Sequence, residues 1–184
     1  MGYTIGVDVG GTKVLGGVVD ESGKVLATAR RETPKSGGTA LTQAIADVAN
    51  ELKNKFEIDS VGVSAAGWVS SDRKTMLATP NISGWNGVNL DYELTSLIGL
   101  PVAIENDANS AAWGEARFGA AKGKSEVLLL TIGTGVGGGI VIGGKLHRGA
   151  FGIAAEVGHI RVVPDGLLCG CGDRKSTRLN SSHV

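Results

Sequence analysis

Several features that would assign this protein to a common functional class are missing from its sequence. No apolar run reaches about 18 residues and no basic start precedes an apolar core, so neither a membrane span nor a signal peptide is predicted. The 18 lysines and arginines balance 18 aspartates and glutamates, without a basic stripe. The chain therefore lacks the charge pattern of proteins that bind nucleic acid or anionic membranes, and we expect a cytoplasmic protein with a small-molecule ligand.

Cysteine is also scarce, whereas glycine is abundant. The two cysteines form Cys169-Gly170-Cys171, a spacing too close for an easy disulfide and better suited to a metal. The 30 glycines among 184 residues exceed the usual share of ~7% and cluster in turns between apolar runs. With 42% hydrophobic residues, the composition predicts a globular chain that can bury one core and begin a second.

Residue periodicity predicts alternating strands and helices. β-Branched and apolar runs bounded by turn residues predict the strands, at residues 3–9, 13–20, 24–32, 60–64, 101–105, 125–132 and 136–142. Apolar residues spaced three to four apart predict the helices, at residues 39–54, 90–98 and 108–118. Asn89 is the expected N-cap of the second helix. The resulting order, βββ-α-β-α-β-α-ββ, indicates the α/β fold class.

Two glycine turns share one plan, in which an apolar strand leads into a Gly-Thr turn and a second strand. They are Gly10-Gly11-Thr12-Lys13 and Gly133-Thr134-Gly135. Glycine permits positive φ and close approach of the backbone, so successive N–H groups can bind phosphate oxygens, assisted by a threonine hydroxyl or a lysine. Each turn alone is as typical of an ordinary hairpin, but two such turns in one chain favour phosphate binding.

Neither turn matches the other common phosphate motifs. The first is followed by a strand, where a P-loop requires a helix. The second satisfies G-x-G-x-x-G, yet the residues after it continue as a strand, without the crossover helix of a dinucleotide-binding fold. Walker and Rossmann chemistry are therefore not predicted.

The stretch Glu105-Asn106-Asp107-Ala108-Asn109 lies between a predicted strand and an alanine-rich helix. Asp107 at this junction has two interpretations. It can be an N-cap that accepts hydrogen bonds from the first helical turn, or a functional carboxylate. The glycine turns and the His/Cys residues elsewhere in the chain favour a functional role, and the two roles are compatible.

Together these motifs resemble the ROK family, named for repressors, open reading frames and kinases, and within it the bacterial ATP-dependent glucokinases. The resemblance runs from about Tyr3 to Gly172. Its five motifs, in order, are Asp8-Val9-Gly10-Gly11-Thr12-Lys13, Glu105-Asn106-Asp107-Ala108-Asn109, Thr131 to Gly139, Glu156-Val157-Gly158-His159 and Cys169-Gly170-Cys171-Gly172. The resemblance implies an actin-like, ribonuclease-H-like sugar kinase fold. We expect a complete N-terminal α/β domain over residues 1–122, a truncated second α/β domain over 123–172 and a non-native tail over 173–184.

The resemblance also implies the roles of individual residues. Asp107 corresponds to the general base that takes the proton from the sugar 6-hydroxyl as it attacks the γ-phosphate, and an aspartate is ionised at neutral pH, as this task requires. The implied sugar-binding residues are Ala66, Gly67, Asn81, Asn106, Asp107, Glu156 and His159. The implied nucleotide-binding residues are Asp8, Gly10, Gly11, Thr12, Lys13, Gly133, Thr134 and Gly135. Among these, Asp8 is expected to hold Mg²⁺ through water, and Lys13 is also open to interpretation as a solvated strand-end charge.

A structural zinc site is implied but incomplete. The family pattern supplies one histidine and three cysteines, and here His159, Cys169 and Cys171 match while Ser176 stands where the third cysteine belongs. The glutamate that follows in the family pattern is absent too. Residues 173–184 lack an apolar period and resemble a translated sequencing adapter, so we expect them to be an artefact. Because the second domain is cut short, we expect this fragment to be inactive and poorly folded alone.

The function implied by the resemblance is ATP-dependent phosphorylation of glucose to glucose 6-phosphate, with ATP and Mg²⁺ as cofactors and Zn²⁺ as a structural metal. Alternatives are a ROK kinase for fructose, mannose or N-acetylmannosamine, and a sugar-sensing repressor without catalysis. A repressor would carry a helix-turn-helix before the first strand, for which the strand at Tyr3 is expected to leave no room. The Cys-Gly-Cys cluster disfavours a polyphosphate-using kinase, and the intact Asp107 disfavours an inactive sugar-binding module. We expect no nucleic-acid or membrane partner, and a homodimer or homotetramer for the intact parent.

Overall fold

The computed structural model describes residues 2–79, 82–133, 135–160 and 166. The chain divides into two compact units, Met1–Asp107 and Ala108–Val184. Each contains both helix and strand, which confirms the predicted α/β class. The predicted domain limit at residue 122 stays a prediction. Within the described residues, no helix is long and apolar enough to span a lipid bilayer.

The first unit is built on a five-stranded sheet. Its strands are β1 (Tyr3–Val9), β2 (Lys13–Val19), β3 (Val25–Glu32), β4 (Ile58–Ala65) and β8 (Val102–Asn106). Their spatial order is β3-β2-β1-β4-β8, with β1 to β3 antiparallel and β1, β4 and β8 parallel. Parallel neighbours need long crossover connections, and these connections contain the helices of the unit.

Two helices cover one face of this sheet, α1 (Gly38–Lys53) over the antiparallel strands and α2 (Leu90–Ile98) beside it. Alternation along β1 buries Val7 and Val9 in the core shared with the helices and leaves Asp8 exposed. Asp8 therefore lies on the face that these helices do not cover.

Helix α2 begins and ends at the residues that local signals predict. Asn89 accepts a hydrogen bond from the backbone N–H of Tyr92 at 3.0 Å, and Gly99 at the C-cap has a φ of 74°. Where a helix or strand of the chain was predicted, its observed bounds agree to within two residues.

A small three-stranded sheet in the first unit was not predicted. It consists of β5 (Trp68–Val69), β6 (Thr75–Ala78) and β7 (Val88–Asn89), in the order β5-β6-β7. These strands have two to four residues, which is too short for a period of two to appear in the sequence. They lie in the part of the chain that connects β4 to α2.

The second unit begins at the second residue of helix α3 (Asp107–Arg117), because Asp107 is the last residue of the first unit. An antiparallel sheet of order β11-β10-β9 contains β9 (Val127–Ile132), β10 (Val136–Ile142) and the unpredicted β11 (Lys145–His147). A Cβ on Gly139 of β10 would lie 2.5 Å from Cβ of Ala112. Glycine in β10 is therefore needed for close packing on α3.

Candidate active site

The predicted site residues of the first unit converge on one edge of its main sheet. Val9, Ala65 and Asn106 end the three parallel strands and lie side by side in register. Open α/β sheets bind their ligands at the carboxyl ends of such strands. The segments that follow these strands are therefore neighbours, and they are the Gly10 turn, Ala66-Gly67 and the start of α3 at Asp107.

Two carboxylates, those of Asp8 and Asp107, lie at this edge. Partial burial raises the pKa of Asp8, and the negative charge of Asp107 raises it further, while Lys13 and a hydrogen bond with Ser64 oppose the shift. Both side chains are nevertheless exposed to solvent. Carboxylates in this arrangement are suited to holding a divalent cation or to accepting a proton from a bound ligand.

Asn106 connects Asp107 to the loop after β4. Its side-chain amide donates a hydrogen bond to the carbonyl oxygen of Gly67 at 3.0 Å and lies within hydrogen-bond distance of Oδ1 of Asp107, at 3.1 Å. The backbone N–H of Asn106 donates to Oε1 of Glu105 at 3.1 Å. Because one amide group donates to both partners, the orientation of the Asp107 carboxylate depends on where Gly67 lies.

The first glycine turn is closed by its own backbone and by Thr33. The N–H of Gly10 donates to the carbonyl of Lys13 at 2.9 Å, and the hydroxyl of Thr33 donates to the carbonyl of Gly10 at 2.6 Å. Neither Gly10 nor Gly11 has a left-handed φ, so this turn does not use the positive φ that glycine permits. A Cβ on Gly11 would meet no described atom within 4 Å, which leaves the turn open to a ligand.

The second glycine turn is closed by a hydrogen bond from the N–H of Gly133 to the carbonyl of Gly135, at 2.9 Å. A Cβ on either glycine would meet no described atom within 4 Å, and neither has a left-handed φ. Among the described residues, neither packing nor backbone conformation accounts for glycine at these two positions. Close approach of an external group is a physical use of glycine at such positions, and phosphate binding by this turn stays a prediction.

His159 is the last residue of a 3-10 turn, Val157–His159, and Glu156 directly precedes this turn. His159 Nε2 is 3.7 Å from Oε2 of Glu156. Gly158 is buried against the backbone of Val136, at the start of β10. Ala155 has a φ of 66°, an uncommon conformation for a residue with a Cβ. The turn that carries both predicted sugar-binding residues is thus packed on β10 and locally strained.

Some of the predicted residues lie outside the part of the chain that the structure describes. They are Asn81, Thr134, Cys169 and Cys171. The remaining predicted zinc ligand, His159, belongs to no group of three metal-binding side chains among the described residues. The described site residues of the first unit are brought to one sheet edge, whereas Gly133, Gly135, Glu156 and His159 belong to the second unit.

Three polar residues that surround the site of the first unit belong to no motif in the sequence. Ser64 is hydrogen-bonded to Asp8. Asn86 is hydrogen-bonded to Thr79, which contacts the Gly67 loop. Isolated serine, threonine and asparagine residues carry no periodic signal, whether they lie in a strand, as Ser64 does, or in a connecting segment. Only the strand register and the folded loops show what they contact.

The architecture is the actin-like α/β fold of sugar kinases. The crystal structure of a ROK family glucokinase from Streptomyces griseus, in complex with glucose and AMPPNP, is similar to this chain with a TM-score of 0.88 and 51% identity. The similarity covers 95% of this chain and 55% of that chain. Open α/β folds bind ligands at the carboxyl ends of their parallel strands, and this is the edge where the predicted site residues of the first unit lie.

The chain belongs to the ROK family, which it matches over residues 4–182. It is 53% identical over 174 residues to a glucokinase of Streptomyces coelicolor, covering 95% of this chain and 54% of that protein. It is 40% identical over 171 residues to a glucokinase of Thermotoga maritima, covering 92% of this chain and 54% of that protein. The chain thus spans about half the length of the curated relatives it matches.

Proposed function

We propose that this chain supplies the general base and part of the sugar and nucleotide sites of an ATP-dependent glucokinase. The observation that carries the proposal is the Asp107 carboxylate at the ligand edge of the sheet, linked through Asn106 to Gly67 and facing the charge of Asp8. Similarity to glucokinases, one of them in complex with glucose and AMPPNP, supports glucose and ATP as the substrates.

In the proposed reaction, Asp107 takes the proton of the sugar 6-hydroxyl while the hydroxyl oxygen attacks the γ-phosphorus in line. The new oxygen–phosphorus bond forms as the bond from the γ-phosphorus to the β–γ bridging oxygen breaks. ADP leaves with that electron pair, and the proton stays on Asp107. The contact between the amide of Asn106 and Oδ1 of Asp107 orders the carboxylate before the substrate arrives, which lowers the entropic part of the barrier.

Asp8 is the proposed residue for Mg²⁺, and its donor type fits. Carboxylate oxygens and water are the ligands that Mg²⁺ prefers, and the metal would neutralise charge on the transferred phosphoryl group. A cation near Asp8 would also offset the two effects that raise the pKa of this carboxyl. We assign the phosphate contacts to the backbone of Gly10, Gly11 and Thr12, with Lys13 assisting, and to Gly133-Thr134-Gly135.

The residues present do not fit a complete zinc site. A closed tetrahedral site requires four ligands, and the sequence offers His159, Cys169 and Cys171, with Ser176 at the position implied for a third cysteine. Within the described residues, no group of three potential ligands occurs. The proposed mechanism therefore includes no step that depends on zinc.

A coupled assay on the full-length parent, meaning the intact protein that contains this chain, tests the proposed function. Glucose with MgATP should give a higher kcat/KM than mannose, fructose or N-acetylmannosamine. A higher value for one of the other sugars would assign a different hexose to the same chemistry. Absence of phosphoryl transfer to all four sugars would contradict the kinase proposal.

A further inference from the structure

Asn86 lies outside the proposed reaction site, in the segment between β6 and β7. Its side-chain oxygen accepts a hydrogen bond from the backbone N–H of Thr79 at 2.9 Å, and the hydroxyl of Thr79 lies 3.2 Å from the same oxygen. Thr79 is buried, and its hydroxyl also donates to the carbonyl of Ile82. Asn86 therefore fixes the backbone just after β6.

This piece of backbone packs directly on Gly67. A Cβ on Gly67 would lie 2.6 Å from the carbonyl oxygen of Ala78 and 2.9 Å from Cγ2 of Thr79, so the contact leaves no space for a side chain. The carbonyl of Gly67 in turn accepts the hydrogen bond from the Asn106 amide, which also contacts Asp107. A continuous series of contacts thus runs from the end of β6 to the proposed base.

The segment that carries Asn86 is anchored to helix α1. Trp85 is 1% exposed and donates from Nε1 to the hydroxyl oxygen of Thr42 at 3.2 Å. The N–H of Gly38, at the start of α1, donates to the carbonyl of Ser83 at 2.8 Å. Asn86 therefore bonds to Thr79 from a position that the core of the unit holds in place.

We propose that Asn86 is a positioning residue for phosphoryl transfer, which acts through Thr79 and Gly67 on the pair Asn106 and Asp107. The proposal rests on the proposed role of Asp107 as general base. Removing the Asn86 side chain leaves the N–H of a buried residue without its acceptor, and the local backbone must shift to replace the bond. The shift is passed to Gly67 and to the Asn106 amide. Proton acceptance is sensitive to such displacements because it requires near-attack geometry.

Steady-state kinetics of the full-length parent test this proposal. Asn86→Ala should lower kcat about 10-fold and leave KM for MgATP within about twofold, because it misplaces the base without removing a nucleotide contact. Asn86→Asp keeps an acceptor oxygen and should restore most of the turnover. Ser83→Ala is the matched control in the same segment. It removes only an exposed hydrogen bond to the carbonyl of Ser36 and should leave kcat unchanged.

A double-mutant cycle separates action through the base from a general structural effect. Asn86→Ala should reduce turnover in the wild-type background and cause no further loss in the Asp107→Asn background. Equal losses in both backgrounds, or normal kcat for Asn86→Ala, would overturn the proposal. If Asn86→Ala does not fold, Asn86→Ser, whose shorter side chain moves the acceptor oxygen away from Thr79, takes its place in the cycle under the same criteria, with an expected loss of about threefold. An inactive wild-type parent would instead refute the proposed function, and the wild-type assay alone identifies that case.

Discussion

Gly67 is the position where a single added methyl group tests the architecture of the site most sharply. Its φ of 138° lies in a region that residues with a Cβ rarely adopt. In Gly67→Ala the new Cβ would also lie 2.6 Å from the carbonyl oxygen of Ala78, a backbone atom that cannot rotate away. The substitution therefore combines backbone strain with a steric clash.

The two effects can be separated with Gly87→Ala. Gly87 has a φ of 75°, and a Cβ there would meet no described atom within 4 Å, so this variant has conformational strain alone. Left-handed conformation costs a residue with a Cβ about 1–2 kcal/mol. Strain at Gly67 costs about 1–3 kcal/mol, and overpacking adds about 1–3 kcal/mol. We expect Gly67→Ala to lose at least ~1 kcal/mol more unfolding free energy than Gly87→Ala.

Urea unfolding of the full-length parent and its two variants measures this difference, and the coupled glucose assay measures its functional effect. Turnover should fall in Gly67→Ala at temperatures where the variant remains folded, because the carbonyl of Gly67 accepts the hydrogen bond that orients Asn106. Gly87→Ala should retain near-normal turnover. Equal stability of the two variants, or unchanged turnover in Gly67→Ala, would refute the close packing on which this reasoning depends.

Three further predictions concern charge, packing and capping. The folded-state pKa of Asp8 is raised above its ordinary value of 3.8, so ionised Asp8 opposes folding. Asp8→Asn should have no stability advantage over wild type at acidic pH and should become more stable than wild type as pH rises through the raised pKa. Thermal unfolding across about pH 3 to 7 measures the direction of this stability difference. The same variant should lose turnover with MgATP. Gly16→Ala places a methyl group against α1 and should lower unfolding free energy by about 1–3 kcal/mol, whereas Gly62→Ala, with no described atom within 4 Å of its Cβ, should be neutral. Asn89→Ala removes the N-cap of α2 and should cost about 1 kcal/mol in urea unfolding.

The sequence signals that succeeded are local ones. The Asn89 cap and the apolar spacing of α2 involve neighbouring residues, and the observed helix begins and ends where they predict. The glycines of β10 could not be interpreted in this way. Phosphate binding was predicted for the turn before β10, whereas Gly139 within the strand is explained by contact with Ala112, about one and a half helical turns into α3. That contact exists only after the strand and the helix have packed together.

The site residues likewise divide into those marked by local sequence signals and those whose contacts form only in the folded chain. Asp107 could be singled out because strand, turn and helix signals meet there, and the register of β1, β4 and β8 explains why the predicted residues of the first unit share one edge. The connection from Asn86 through Thr79 to Gly67 depends on two-residue strands and on a loop contact. Such features have no periodic pattern, so they become visible only in three dimensions.

The role of Asp107 is tested most directly by the turnover of Asp107→Asn in the full-length parent, measured with glucose and MgATP. The amide keeps the size of the side chain but cannot accept the hydroxyl proton as a carboxylate does. We predict that kcat falls at least ~10²-fold while glucose binding persists. Near-normal kcat in a folded variant would contradict the role of Asp107 as general base.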